Sequence, residues 1–167
     1  MKKFRKILAL AIALTMMLGM SIVAAAEEST DSATITISGL SDEATVTYKQ
    51  IVEPDNTSTS GWKAVDDEVA EALGTLTTED ITDIIDAYVA ATESQRMEAL
   101  KNISTSTEGA STITVTSPGL YLINATDTSG KFLYKPMVAS VGFGYTEGVP
   151  TSIENTTVVA KKGAAQV

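Results

Sequence analysis

The chain contains neither cysteine nor histidine. A secreted chain without cysteine has no disulfides to staple it, so its stability rests on a core, a metal or some other covalent bond. Without histidine there is no Ser/His/Asp or Cys/His nucleophilic site and no histidine-based zinc site. An ordinary hydrolase is therefore hard to build. Positive charge is scarce too. All 21 acidic residues lie beyond residue 26, where only eight of the 12 basic ones remain, a balance of −13. This balance argues against nucleic acid as a partner, because binding it depends on Lys and Arg to neutralise phosphates. The same charge keeps the surface solvated and self-repelling.

What is present begins with an export signal. Lys2, Lys3, Arg5 and Lys6 precede an apolar run from Ile7 to Val23, and Ala24, Ala25 and Ala26 form a small-residue exit before Glu27. This pattern predicts a signal peptide over 1–26. Its rival is an uncleaved anchor helix, since the run approaches the ~20 residues a span needs. The small-residue exit and the acidic residues after it favour cleavage, so the membrane is a partner only through this segment before processing. The remaining 141 residues, 167 less 26, make about one domain. Residues 27–32 read as a flexible lead, 33–162 as the domain, and 163–167 as a tail or the start of a linker.

Within the domain, Ala33 to Ser38 alternates, with Ile35 and Ile37 on one face, and Gly39 ends it. Ala44 to Val52 alternates again, and the two runs predict a hairpin through GLSDE. Glu53 to Gly61 is a turn-rich loop. Its Asp55 and Asn56 lack the glycine and distal glutamate of a calcium-binding EF-hand loop. Trp62, the one tryptophan, is either a lid on the core edge or a ligand platform.

From Ala64 the period changes. Val65, Val69 and Leu73 mark a short helix ended by Gly74. Thr77 or Thr78 is placed to cap a second, with Glu79 and Asp80 in its first turn and a stripe of Ile81, Ile84, Ile85, Tyr88 and Val89. Ser94 to Ile103 continues helically, whereas Ser104 to Ser111 reads as loop. Ile113 and Val115 form a short strand. Asn56, Asn102, Asn124 and Asn155 open N-x-Ser/Thr triplets, which composition explains in a chain so rich in Ser and Thr.

Pro118 to Phe143 is the most specific stretch. Gly119 to Asn124 carries apolar residues on both sides, Tyr121 and Ile123 against Leu120 and Leu122, so the pattern predicts a central strand covered on both faces. Thr126 to Gly130 is a turn, Pro136 interrupts the following run, and Met137, Ala139, Val141 and Phe143 recur at a period of two. Thr156 to Lys161 reads as the last strand.

The pair PGLYLI and YKPMVASV resembles the late strands of the N-terminal domain of Gram-positive, sortase-assembled fimbrial subunits, the isopeptide-forming pilins. TITISGLSDEATVTYKQIVE resembles the opening of the same domain, and the GW at 61–62 also occurs there. The resemblance implies a mainly β fold, an Ig-like, pilin-type β-sandwich with a helical insertion over about residues 64–103, preceded by the signal helix. It also implies a structural subunit, with no cofactor, placed on the cell wall among other pilin subunits and a sortase.

Two uses of lysine follow from it. In polymerisation, a sortase joins a threonine of one subunit to a lysine amine of the next, and Lys161 and Lys162 in TTVVAKKG lie where the family carries that acceptor. Val159 and Ala160 stand where the family's best-known form has Tyr-Pro. In an internal isopeptide bond, a buried lysine attacks an asparagine or aspartate beside an acid, burial favouring the neutral amine. Strand-embedded Lys49 and Asn155, just before the last strand, are the pair to test. The alternative is a secreted adhesin domain binding host glycan or matrix protein through loops such as 53–61, which an exposed Trp62 would favour. A third possibility, a carboxylate-only glycosidase, has no acid pair picked out by its surroundings.

Overall fold

In a computed structural model of the chain, the structure describes residues 32–147 and 149–164. The predicted signal peptide, residues 27–31 of the lead and residues 165–167 of the tail lie outside them. Among the described residues, twelve strands and three helices follow in order: β1 (Ala33–Ser38), β2 (Ala44–Pro54), β3 (Trp62–Ala64), α1 (Asp67–Gly74), α2 (Ile84–Ala90), α3 (Glu93–Leu100), β4 (Thr107–Gly109), β5 (Thr112–Val115), β6 (Gly119–Asp127), β7 (Phe132–Tyr134), β8 (Met137–Val141), β9 (Phe143–Thr146), β10 (Val149–Ile153), β11 (Thr156–Val159) and β12 (Lys162–Ala164). The fold is mainly β, a sandwich carrying a helical insertion.

The layers follow from the side-chain pattern of β6. Tyr121 and Ile123 face a core shared with Ile35 and Ile37 of β1, Ile113 of β5 and Ala139 of β8. Leu122 faces the other way, into a core with Ile51, Trp62, Leu73, Ile85 and Leu100. Strand β6 thus lies in the middle layer of three. On one side stands a small sheet ordered β11-β1-β5; on the other stand the helices. In the middle sheet, β6 pairs antiparallel with β2 along most of its length. Strands β8 and β7 pair with its two halves on the opposite side, and β3 and β4 pair with the two ends of β2. Pro136, which cannot donate to a ladder, falls in the break between β7 and β8.

A β-bulge lets one strand serve both cores. The register of β2 on β6 shifts between Gln50 and Val52. Val46 faces the sheet-sheet core, while Ile51 and Val52 both face the helices. The extra residue brings the carbonyl of Val52 against Gly119, where an added Cβ would lie 2.0 Å from that oxygen and where φ is +141°. Only glycine fits this start of β6.

Four expectations change. The strands β1 and β2 do not form a hairpin: β1 pairs with β5 and, in parallel, with β11, so residues 39–43 carry the chain from one sheet to the other. Ile35 and Ile37 of β1 and the Val46 half of β2 still bury their alternating faces in the core between the sheets, and that is all the alternation encodes. Helix α2 starts at Ile84 with Asp83 as its cap, because the Asp83 carboxylate accepts from the Ile85 and Asp86 amides. Thr78 instead closes a local turn onto the amide of Ile81. Residues 107–109, read as loop, add β4 to β2, and β9 and β10 form a hairpin beyond Phe143. The run TTVVAK divides: β11 ends at Val159, and the chain crosses to the middle sheet, where β12 pairs with β7.

Candidate functional site: the lysine crossing and its groove

Residues Ala160 and Lys161 form the bridge between the two sheets. The amide of Ala160 donates to the Ser38 carbonyl at 2.8 Å, and the Lys161 carbonyl accepts from the Lys135 amide at 3.0 Å. The backbone is thereby pinned to both sheets while the side chain of Lys161 stays 66% exposed. Its ammonium lies 3.2 Å from Glu93 Oε1, in the first turn of α3. Glu93 is placed by a capping box, in which Thr92 Oγ1 accepts from the Gln95 amide and Gln95 Oε1 accepts from the Thr92 amide. Lys162, one residue on, sits differently. Its Nζ lies 4.5 Å from the centre of the Phe132 ring, a cation-π contact made by an exposed residue.

Beside Lys161 runs a groove of about 430 Å³ between α3 and strands β8 and β11, walled by Met97, Leu100, Val138, Val158 and Val159. Arg96 stands between this groove and a second, mostly apolar cavity of about 380 Å³ lined by Trp62, Ile85, Tyr88 and Leu120. The Arg96 guanidinium donates to the carbonyls of Tyr88 at 2.8 Å and Val89 at 2.6 Å, closing the C-terminal end of α2. It also lies 5.1 Å over the Tyr88 ring. Burial pushes the Tyr88 phenol up from its ordinary pKa, and the Arg96 charge opposes that shift.

Lys49 and Asn155 are not brought together. Lys49 projects from β2 toward the helices, where its amine meets Asp66 at 2.7 Å and Glu68 at 2.9 Å. Asn155 belongs to the far sheet, and its Oδ1 accepts from the Thr34 amide at 2.8 Å. The middle sheet lies between them. The surroundings of Lys49 also oppose nucleophilic use: its hydrogen bond to Asp66, with help from Glu68, outweighs burial and raises its pKa, so the amine stays protonated. In turn, Lys49 holds the Asp66 and Glu68 carboxyls below their ordinary range. Asp66 also caps α1 by accepting from the Val69 amide.

Trp62 is 4% exposed and belongs to the helix-side core. The turn over 55–61 is tied within itself: Asp55 accepts from the amide and hydroxyl of Thr57, and these bonds lower its pKa. The aromatic platform that an adhesive loop would need is thus turned inward. Sequence reasoning missed Glu93 and the groove. The capping box T-x-x-Q at Thr92–Gln95 was the signal for Glu93, but nothing in the sequence announces that α3 stands over Lys161.

No protein-family model and no curated protein matches the chain. Among solved structures, it is similar to the T6 backbone pilin of serotype M6 Streptococcus pyogenes, described as a modular three-domain structure decorated with variable loops and extensions. That similarity has 18% identity and a TM-score of 0.42, over 80% of this chain and 28% of the pilin chain.

Proposed function

We propose that this chain is a structural subunit of a bacterial surface pilus, exported by its N-terminal signal and joined covalently to the next subunit by a sortase through Lys161 or Lys162. The observation that carries the reading is the Lys161 amine, held on a doubly pinned backbone yet 66% exposed. An acceptor needs that combination, because an enzyme-bound acyl group must reach an amine that does not retreat. The motifs PGLYLI, YKPMVASV and TTVVAKKG support the same reading. The adhesin alternative is weakened, since Trp62 is buried.

The test is a blot of the detergent-boiled surface fraction of cells expressing the chain. A ladder of high-mass species, lost when Lys161 or Lys162 is replaced by Ala, is the expected result. A single band at monomer mass refutes polymerisation and moves the adhesin or minor-subunit reading to first place.

A further inference from the structure

Resting on that pilus reading, we propose that Lys161, not Lys162, is the acceptor, and that the groove beside it seats the incoming acyl peptide in extended form. Three observations converge. Lys161 lines the groove, whereas the Lys162 amine stands over Phe132 and does not line it. Val159 is 65% exposed in the groove wall, one of two large apolar side chains so exposed among the described residues. Strands β8 and β11 pair with β6 and β1, run beside each other without a ladder between them among the described residues, and both line the groove. An extended peptide can lie along them with its side chains in the apolar groove.

The chemistry balances with an acyl thioester on the sortase cysteine as co-substrate. The Lys161 ammonium gives one proton to the Glu93 carboxylate, 3.2 Å away. The neutral amine adds to the acyl carbon, and the C–N bond forms as the C–S bond breaks. The second proton leaves with the departing thiolate, so an amide and a free thiol result.

The test uses two probes on the purified chain, with acylation mapped by mass spectrometry. One is the benzyl thioester of fluorescein-Ala-Leu-Ala-Thr, long enough to need the groove; the other is the N-hydroxysuccinimide ester of acetate, which is not. The peptide thioester is expected to acylate Lys161 about tenfold more than Lys162, while the acetyl ester labels both alike. Val159→Asp, at an exposed position, removes the peptide's preference and leaves the acetyl pattern unchanged. Glu93→Gln lowers peptide acylation at Lys161 about tenfold near neutral pH, while Glu93→Asp restores part of it. Equal peptide labelling of the two lysines, or indifference to Val159→Asp, overturns the groove. Indifference to Glu93→Gln overturns the proton transfer. A surface ladder that persists in Lys161→Ala and collapses in Lys162→Ala overturns the acceptor assignment while leaving the pilus reading intact, and a missing ladder overturns the pilus reading itself.

Discussion

Leu122→Ala tests the three-layer arrangement most directly. Leu122 is fully buried in β6 and faces the helices, while its neighbours Tyr121 and Ile123 face the other sheet. The substitution removes an isopropyl group, a loss of about 2.4 kcal/mol at about 0.8 per buried carbon. A residual cavity of about 50 Å³ adds about 1.2 kcal/mol at about 24 cal/mol per Å³. The expected destabilisation is about 3.6 kcal/mol, which lowers Tm by about 13 °C for a domain of ~130 residues. Urea unfolding followed by the fluorescence of the single tryptophan measures it, and an unchanged m-value shows that the folded state is otherwise intact. Ile123→Ala, on the opposite face, is expected to cost a similar ~2–5 kcal/mol. A one-faced strand would tolerate one of the two. If either variant loses less than ~1 kcal/mol, the layers are wrongly assigned.

Gly119→Ala sets a Cβ 2.0 Å from the Val52 carbonyl at a φ of +141° and is expected to abolish soluble expression, whereas Gly130→Ala, with open space around it, is strained by its positive φ alone and remains soluble. Thr92→Ala removes the capping box of α3 and should cost about 1 kcal/mol, read by chemical denaturation. The Tyr121 phenol donates to the Ser117 carbonyl, and burial pushes its pKa up to about 12. Between the unfolded value near ~10 and that folded value only the unfolded chain ionises, so stability falls as pH rises through this window. Tyr121→Phe should flatten the fall, and a phenolate absorbance titration that shows all tyrosines ionising together near ~10 refutes it. The Asp66 and Glu68 carboxyls are depressed by Lys49. Their stabilisation is present above the unfolded values near ~4 and is lost as pH falls through the lower folded values. Lys49→Met should shrink that acid-side loss and its salt dependence, both read from Tm at matched ionic strength.

Much of the architecture is legible in the sequence because burial writes a period into it. The two-faced strand at 119–124 and the helical face of Val69 and Leu73 reappear as predicted. What fails is pairing. An alternating strand records which residues are inside, not whether the next strand lies beside it or across the core from it, so β1 and β2 looked like a hairpin. Helix starts depend on which of several Thr and Asp residues has its side chain turned onto the first free amides, and Asp83 prevailed over Thr77 and Thr78. The candidate site is less legible still. Lys161 is visible as an exposed charge near the last strand, but Glu93 is 68 residues away in sequence. Lys49 looked embedded in its strand, yet its surroundings are set by Asp66 and Glu68 from a different element.

The parallel pairing of β1 with β11 bears on how the domain responds to tension. Ile35 to Ser38 align with Thr156 to Val159. The bond from the Thr34 amide to Asn155 lies below that ladder, and the bond from the Ala160 amide to Ser38 lies above it. A force that enters at the start of β1 and leaves at Lys161 pulls the two strands in opposite directions along their own axes. The ladder is then loaded in shear, so its bonds share the load and must yield together instead of unzipping one at a time. Asn155, whose side chain makes an added rung at one end, is a rivet in that clamp.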